Sequence, residues 1–229
     1  NRAAGGAATV AGGSGNTALM EIGILEEQQF LTMITYVVVD ENDPAFENPT
    51  KPIGPFYTEE EASRLSYNMV KTDKGYRRVV ASPKPVAIVE YREIKKLIEM
   101  DFIVICCGGG GIPVIRKERK FRGVEAVIDK DLASFILARE LKADIFLIVS
   151  DIEGAAIHWG TRAQKMLGKV SLKEMKQYIK EGHFPAGSMG PKVEAIVQFF
   201  QTTGNRGVIG KLEDIELAIA GKAGTEIIK

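Results

Sequence analysis

Three segments of the chain are suited to holding phosphate, because they place glycines or lysines at the ends of predicted strands and the starts of predicted helices. The loop at residues 183–193 reads His-Phe-Pro-Ala-Gly-Ser-Met-Gly-Pro-Lys-Val and ends in Lys192, where an amphipathic helix is predicted to begin. The glycines Gly108–Gly111 directly follow an apolar segment, and Lys130 opens another predicted helix. Backbone N–H groups and ammonium groups at such positions bind phosphate oxygens. Together, the three segments predict a phosphoryl-transfer site in which both lysines and the glycine turn share one cleft.

Each of these features also has a structural explanation. The four glycines match neither the dinucleotide fingerprint Gly-x-Gly-x-x-Gly nor the phosphate loop that ends in Gly-Lys-Ser/Thr, so a tight turn is an alternative. Lys130 lies between Asp129 and Asp131, so a surface salt bridge is the competing interpretation of this lysine. A cation at the positive end of a helix dipole is unfavourable, however, and an anionic ligand would remove that conflict. The same alternatives apply to Lys192.

Other types of catalytic site are not indicated by the residues present. His158 and His183 are the two histidines, and they offer no metal-ligand pair, so we interpret both as structural. No Ser-His-Asp set suggests itself, and no general base is evident. An acceptor that is already an anion needs no base, so this absence agrees with phosphoryl transfer to such an acceptor. We therefore predict no metal site built from protein side chains.

Charge, apolar content and cysteine use restrict the class of protein further. Lysine plus arginine and aspartate plus glutamate both total 30 among 229 residues, so the chain lacks the basic excess of a nucleic-acid-binding protein. No apolar stretch reaches the roughly 18–20 residues of a membrane span, and no secretory signal pattern is visible. Cys106 and Cys107 are adjacent in an apolar segment, where a strand would point their side chains to opposite faces. We therefore expect buried, reduced thiols and a cytoplasmic location.

Apolar segments that alternate with amphipathic ones predict an α/β fold to position these residues. Leu31–Val39 is nearly all apolar or β-branched, which is typical of a strand covered on both faces. The further predicted strands are Pro85–Glu90, Phe102–Cys107, Val114–Lys117, Phe121–Val127, Ile145–Val149, Gly207–Gly210 and Thr225–Ile228, and the predicted helices are Arg92–Met100, Asp131–Leu141, one from Ser171 to Lys180, one from Pro191 and Leu212–Ala220. This alternation predicts a three-layer sandwich with a mostly parallel central sheet. The glycine turn and the loop Ser150–Gly154 would lie at its carboxyl edge, where ligands bind.

Residues 40–84 differ in character from the rest of the chain. They hold five of the nine prolines and several turn-forming pairs, so we predict that residues 41–84 leave the sheet as a small protruding lid subdomain. One helix is predicted near Thr58–Val70, because Thr58 is a suitable N-cap with Glu61 three residues later. Residues 1–18 have the glycine- and alanine-rich composition of a linker.

Several long motifs resemble those of carbamate kinases, which belong to the amino-acid kinase family. The first two are Val37–Phe46 and Pro49–Tyr57, the second of which contains Lys-Pro-Ile-Gly-Pro-Phe-Tyr. The others are Ser82–Pro85, Gly108–Val114, Gly123–Ala133 and Gly182–Val193. The resemblance covers about residues 31–229 in order, and the Lys-Pro-Ile-Gly-Pro-Phe-Tyr segment points to carbamate kinase in particular.

The resemblance implies a fold, a reaction and partners. The fold would be that of the amino-acid kinases, and the reaction would be reversible phosphoryl transfer between ATP and carbamate, giving ADP and carbamoyl phosphate. Mg²⁺ would be bound through the phosphates of ATP. The family pattern further implies a homodimer and, in fermenting organisms, ATP formation after arginine or agmatine breakdown. No nucleic-acid or membrane partner is expected.

The resemblance also implies roles for individual residues. Lys130 would contact the transferred phosphoryl group, Asp131 would orient the lysines, and Lys192 would bind the phosphates of ATP. Lys51, on the lid, would close over the reaction centre. The residues expected to line the phosphoryl or carbamate pocket are Gly108, Gly109, Gly110 and Gly111, and those expected to border the nucleotide are Ser150, Asp151, Gly154, Gly187, Met189 and Gly190.

The start of the chain departs from the family pattern. Carbamate kinases begin with a strand and a Gly-Gly-Asn phosphate loop, followed by a His-Gly-Asn-Gly loop, and neither loop is recognisable in residues 1–30. We therefore expect a single amino-acid kinase domain over residues 1–229 that is incomplete at its N-terminus. One alternative is a related kinase for another small acid, against which the lid motif argues. The other is a catalytically impaired nucleotide-binding module of the same family.

Overall fold

The chain forms two compact units, Asn1–Ala133 and Ser134–Lys229. The computed structural model describes residues 7–8, 29–185 and 188–229. Both units combine helices with sheets that contain parallel strand pairs, which confirms the predicted α/β class. The single domain over residues 1–229 stays a prediction.

The first unit is built mainly from short strands. In the described part of this unit the strands are β1 (Ala7–Ala8), β2 (Phe30–Thr32), β3 (Tyr36–Val39), β4 (Lys51–Tyr57), β5 (Met69–Thr72), β6 (Gly75–Val80), β7 (Pro85–Ile88), β8 (Ile103–Ile105), β9 (Ile112–Lys117) and β10 (Lys120–Gly123). They form one parallel sheet in the order β1-β8-β2, one mixed sheet in the order β10-β9-β3-β7, and one antiparallel sheet in the order β4-β6-β5. The helices are α1 (Glu59–Ser63), α2 (Tyr91–Glu99) and α3 (Lys130–Leu141), which begins in this unit.

The central strand β8 leads directly to the glycine turn. Val104 and Ile105 are buried, and β8 has a parallel neighbour on each side. The strand ends at Ile105, and Cys107 adopts the left-handed conformation with φ 55°. Cys106 and Cys107 are both buried free thiols, so the prediction of buried, unpaired cysteines is confirmed.

The prediction of one continuous strand over Leu31–Val39 is wrong. The segment is divided between β2 and β3, which belong to different sheets. The division falls at Thr35, whose Oγ1 accepts a hydrogen bond from the N–H of Cys107 at 3.0 Å. The carbonyl of Thr35 accepts from the N–H of Ile112 at 2.8 Å. Thr35 therefore fastens both ends of the glycine turn to the point where the chain passes between the two sheets.

The segment predicted as a lid contains the antiparallel sheet β4-β6-β5 and the helix α1. Thr58 and Glu61 form the predicted capping box, in which each side chain accepts from the backbone N–H of the other residue. The helix ends at Ser63, however, and the prediction that it reaches Val70 is wrong. Residues Met69–Thr72 instead form β5, which pairs with β6 as a hairpin. The separation of this segment as a protruding subdomain stays a prediction.

The second unit has one four-stranded sheet and a two-stranded ribbon in its described part. Its strands are β11 (Ile145–Ser150), β12 (Ala156–Ile157), β13 (Lys165–Met166), β14 (Lys169–Ser171), β15 (Arg206–Lys211) and β16 (Thr225–Ile228). The sheet order is β11-β15-β16-β14, with β11 parallel to β15, and β12 pairs with β13. The helices are α4 (Leu172–Lys180), α5 (Met189–Thr203) and α6 (Ile215–Ile219).

Helix α5 packs closely on this sheet. A Cβ on Gly207 would lie 2.7 Å from the carbonyl oxygen of Ile196, so the missing side chain lets the helix backbone approach β15. The rings of Phe146 on β11 and Phe199 on α5 lie 5.4 Å apart in the core. These contacts fix α5 on the sheet, and Lys192 lies in the first turn of this helix. Among the described residues, every helix is too short or too polar to cross a bilayer.

The partly buried pair of Arg206 and Glu226 stabilises the second unit. Arg206 donates to both carboxylate oxygens, from Nε at 2.6 Å and from Nη2 at 3.0 Å. It also donates to the carbonyls of Ala218 and Ile219 at the end of α6. The hydrogen bonds and charge of Arg206 outweigh burial and hold the pKa of Glu226 below its ordinary value of 4.5.

Replacing Glu226 with glutamine is therefore expected to lower the free energy of unfolding by about 1–3 kcal/mol at about pH 7. The folded-state pKa is lowered, so the stabilisation is present above the ordinary pKa and is lost as the pH falls through the folded-state value. Urea unfolding of both proteins at several pH values between about 7 and 4 should show the difference narrowing at the acidic end. The matched control is Glu213→Gln, which removes an exposed pair with Lys211 and should cost less than about 0.5 kcal/mol.

Candidate functional site

The glycine turn requires glycine at two positions for steric reasons. Gly109, Gly110 and Gly111 have φ values of 66°, 97° and 79°, which side chains of L-residues rarely adopt. A Cβ on Gly110 would lie 2.1 Å from the carbonyl oxygen of Ile128, and one on Gly111 would lie 2.4 Å from Cγ2 of Val37. The tight-turn interpretation therefore accounts for Gly110 and Gly111.

Gly108 and Gly109 differ from the other two glycines. The N–H groups of Gly110 and Gly111 donate within the turn, to the carbonyls of Cys107 and Gly108. In the described part of the chain, no backbone carbonyl accepts from the N–H groups of Gly108 and Gly109, and both glycines are exposed residues. Both glycines line a cavity of about 470 Å³, as do Gly111, Thr35 and Cys106. Two backbone donors are therefore available to an anion at this turn.

Asp129 caps the helix that begins with Lys130. Its carbonyl accepts from the N–H of Ala133 at 3.0 Å, and its Oδ1 accepts from the N–H of Asp131 at 2.9 Å. Helix α3 begins at Lys130, which is an exposed residue, so the ammonium group of Lys130 lies near the positive end of the helix. Asp131 is buried. The roles of Lys130 and Asp131 stay predictions.

Lys51 reaches Asp129 from the antiparallel sheet. Its Nζ lies 2.9 Å from Oδ2 of Asp129, with the two side chains 32% and 14% exposed. Burial raises the pKa of Asp129, but the hydrogen bond and charge of Lys51 and the N–H groups of Asp131 and Leu132 together lower it by more. The net result is a pKa below the ordinary value of this carboxyl group. Asp129 is therefore ionised at neutral pH and is a permanent anionic partner for Lys51.

Two further contacts join the same sheet to the segment before α3. The guanidinium group of Arg78 on β6 forms an ion pair with Glu125 and lies 4.2 Å from the ring centroid of Tyr67. The N–H of Val127 donates to the carbonyl of Ala81 at 2.9 Å, directly after β6. The sheet that carries Lys51 is thus held against residues 125–129 at three points.

A cavity of about 270 Å³ lies in the second unit, between the end of β11 and the first turn of α5. Its lining residues are Ser150, Asp151, Ile152, Ala156, Trp159, His183, Pro185, Ser188, Met189 and Lys192. Four of the residues predicted to contact the nucleotide or its phosphates are therefore brought together, namely Ser150, Asp151, Met189 and Lys192. They meet because Ser150 ends β11, Asp151 directly follows it, and Met189 and Lys192 lie in the first turn of α5. Their roles stay predictions.

The three other predicted nucleotide residues are placed differently. A Cβ on Gly154 would lie 2.6 Å from Oγ1 of Thr225, so this glycine allows the loop to approach β16. Gly190 lies against the carbonyl of Pro185 and lines a neighbouring groove on α5. Gly187 lies outside the described residues. A nucleotide contact for these three glycines stays a prediction.

Two aromatic side chains of the cavity were missed by the sequence interpretation. Trp159 is 53% exposed and lies in the loop after β12. His183, which we interpreted as structural, also lines the cavity, with its ring 4.5 Å from that of His158 and its Nε2 3.3 Å from Oε2 of Glu181. The signals were available: Trp159 is the chain's only tryptophan, and His183 opens the glycine-rich loop.

The predicted site residues are divided between the two units. Lys51, Lys130, Asp131 and the glycine turn belong to Asn1–Ala133, whereas Lys192 and the cavity beside it belong to Ser134–Lys229. A single cleft shared by both lysines stays a prediction. In the described ranges, no group of three or more histidine, cysteine, aspartate or glutamate side chains is arranged to hold a metal ion.

Known proteins resemble this chain over most of its length. The sequence model of the amino acid kinase family matches residues 22–211. The carbamate kinase of Pyrococcus furiosus is 51% identical over 207 residues, which are 88% of this chain and 66% of that protein. The carbamate kinase of Haemophilus influenzae is 48% identical over 229 residues, which are 97% of this chain and 73% of that protein. The chain thus spans about two thirds of the length of these relatives.

A solved structure gives the same result for the fold. The carbamate kinase of Giardia lamblia bound to AMP-PNP superposes with a TM-score of 0.84 at 42% identity, covering 93% of this chain and 70% of that chain. The chain therefore has the amino acid kinase fold that its motifs predicted. From its fold, its motifs and its similarity to these proteins, the chain belongs to the amino acid kinase family and, within it, to the carbamate kinases.

Proposed function

We propose that the protein catalyses the carbamate kinase reaction, in which a phosphoryl group is transferred reversibly between ATP and carbamate. The observation that carries the proposal is the start of α3, where Lys130 is the first helical residue and Lys51 Nζ lies 2.9 Å from the capping carboxylate of Asp129. Two ammonium groups and a helix N-terminus stabilise the negative charge of a migrating phosphoryl group. The relatives named carbamate kinase support the same reaction.

The nucleotide would bind in the cavity of the second unit. A volume of about 270 Å³ is close to the smallest typical ligand pockets, which start at about 300 Å³. Trp159, Ile152 and Met189 offer apolar surface for a base, and Lys192 offers a cation for the phosphates. The Giardia relative is described as bound to AMP-PNP, which supports a nucleotide site. ATP would enter as its Mg²⁺ complex, in which the metal neutralises phosphate charge.

The acceptor would bind at the glycine turn. Gly108 and Gly109 are exposed, and their N–H groups are suited to the oxygens of carbamate or carbamoyl phosphate. Carbamate is already an anion, so its oxygen attacks the γ-phosphorus without losing a proton, and ADP leaves. The residues of the chain then act by placing the reactants and stabilising charge, with Lys130 at the phosphoryl oxygens and Asp131 orienting the lysines.

The biological setting belongs to the same proposal and depends on the family resemblance. We expect a homodimer in the cytoplasm that works in arginine or agmatine breakdown, in the direction of ATP formation. Dimerisation is checked by sedimentation of the purified protein. The preferred direction of the reaction is checked by comparing the initial rates of ATP formation and ATP consumption at equal substrate saturation.

The proposal is tested by measuring ATP formation from ADP and carbamoyl phosphate with a luciferase readout. We expect turnover that depends on both substrates and falls to background when acetyl phosphate replaces carbamoyl phosphate. Equal turnover with acetyl phosphate would favour a related kinase for another small acid. The fluorescence of Trp159, the single tryptophan, reports ADP binding in the same samples. Saturable binding without turnover would favour the impaired nucleotide-binding module and contradict the proposal.

A further inference from the structure

Asp129 joins three parts of the first unit through one carboxylate group. Its Oδ1 accepts from the backbone of α3, through the N–H of Asp131 at 2.9 Å. Its Oδ2 lies 2.9 Å from Nζ of Lys51, which is 78 residues away in the sequence. The residue that follows Asp129 is Lys130. One side chain therefore caps the helix and also holds a lysine from the antiparallel sheet beside the helix start.

We propose that Asp129 is a positioning residue that holds the ammonium group of Lys51 at the start of α3, one residue from Lys130, ready for the phosphoryl group. This inference rests on the proposed function. A lysine side chain has four rotatable bonds and loses much conformational entropy when it is confined. A largely buried carboxylate that is itself fixed by backbone donors supplies the interaction that confines it.

The local charges explain why an anion is needed at this position. The ammonium groups of Lys51 and Lys130 are like charges near the positive end of α3, so bringing them together without a counter-ion is unfavourable. Asp129 offsets that repulsion before a substrate binds, and its lowered pKa keeps it ionised. When phosphoryl oxygens arrive, they supply further negative charge to the same two lysines.

The sheet has other attachments, so the role of Asp129 can be separated from docking of the sheet. The Arg78–Glu125 ion pair and the backbone bond from Val127 to Ala81 remain if the charge of Asp129 is removed. Asparagine is as good a helix N-cap as aspartate. The variant Asp129→Asn therefore keeps the helix start and the docked sheet, and it removes only the charge that holds Lys51.

The experiment compares wild type and Asp129→Asn in two measurements. The first is the rate at which Lys51 reacts with acetic anhydride in the protein without substrates, followed by mass spectrometry and divided by the rate for the exposed Lys96 on α2. We expect a rise of about threefold, the size typical of a lost ion pair of this exposure. The second is ATP formation, for which we expect kcat to fall about tenfold or more because a reacting cation is misplaced.

The matched control is Glu125→Gln, which removes the other ion pair between the same sheet and the same segment. Both measurements should stay within about twofold of wild type, because Arg78 and Glu125 do not place a reacting cation. Unchanged labelling of Lys51 in Asp129→Asn would overturn the inference, because the carboxylate would then not confine this lysine. Raised labelling with an unchanged kcat would overturn the positioning role and leave the proposed function in place. A wild-type protein without turnover would overturn the proposed function and the positioning role with it.

Discussion

Replacing Lys130 with alanine is expected to lower kcat for ATP formation by about a hundredfold to a thousandfold and to leave the fold intact. The ammonium group is lost at the point where negative charge develops on the transferred group, and removing one such electrostatic contact typically costs 10²–10³ in rate, on the order of the effect expected here. Lys130 is an exposed first residue of a helix, and alanine has a high helix propensity. The stability of the protein should therefore change by less than about 0.5 kcal/mol.

The measurement is the steady-state rate of ATP formation at saturating ADP and carbamoyl phosphate, together with urea unfolding of the same samples. Lys96→Ala on the exposed face of α2 is the matched control and should retain wild-type kcat. Activity retained in Lys130→Ala would refute the role assigned to this residue. A large loss of stability would instead show that Lys130 is structural.

The variant Gly110→Ala is expected to lower the free energy of unfolding by about 3–5 kcal/mol. Two costs add in this variant. The residue has φ 97°, and its new Cβ would lie 2.1 Å from the carbonyl oxygen of Ile128 and 2.9 Å from the carbonyl carbon. The obstacle is backbone rather than a flexible side chain, so the turn and the segment before Asp129 cannot both keep their positions.

Gly109→Ala is the matched control for this prediction. It places the same methyl group one residue earlier, with φ 66° and, among the described residues, no atom within 4 Å of the new Cβ. Only the left-handed conformation is then penalised, at a cost of about 1–2 kcal/mol. Urea unfolding of the two variants should therefore separate the steric cost from the conformational one. Equal stabilities would contradict the close contact between the turn and Ile128.

The helix starts were predictable because their signals are local. Thr58 with Glu61 forms the predicted capping box, and the helix predicted from Ser171 begins with the same kind of box, formed with a glutamate three residues later. Such a box needs only residues within one helical turn, so no knowledge of the tertiary structure is required. The end of α1 was not predictable in the same way, because it depends on the pairing of β5 with β6.

The path of the strands was less predictable because it is set by distant residues. Leu31–Val39 has the composition of one strand, yet Thr35 bonds to Cys107 and Ile112, more than 70 residues later, and divides it. The pairing of β4 with β6 was missed for a similar reason. Prolines and glycine in β4 indicate turns, whereas the hydrogen bonds with β6 impose an extended backbone.

The candidate site was predictable in its residue types and less so in its partners. Lys130, Lys192 and the glycines stand out because their positions at helix and strand ends are visible in the sequence. The ion pair between Lys51 and Asp129 was not visible, because the two residues are 78 positions apart, and the sequence suggested only the neighbouring Lys130 as an alternative partner. Gly154 was predicted to border the nucleotide because it lies in a loop after a strand. The structure gives a second reason for glycine at this position, which is the close approach of the loop to Thr225.

The place of β8 between β1 and β2 has a consequence during synthesis of the chain. Both outer strands precede β8 in the sequence, and Phe30 of β2 pairs with Ile103. The parallel sheet therefore cannot form on the ribosome until residue 105 has left the exit tunnel. Until then β2 lacks its partner strand β8 and is accessible to chaperones and proteases. Nascent chains stalled before β8 should be cut near β2 by a protease that spares longer ones.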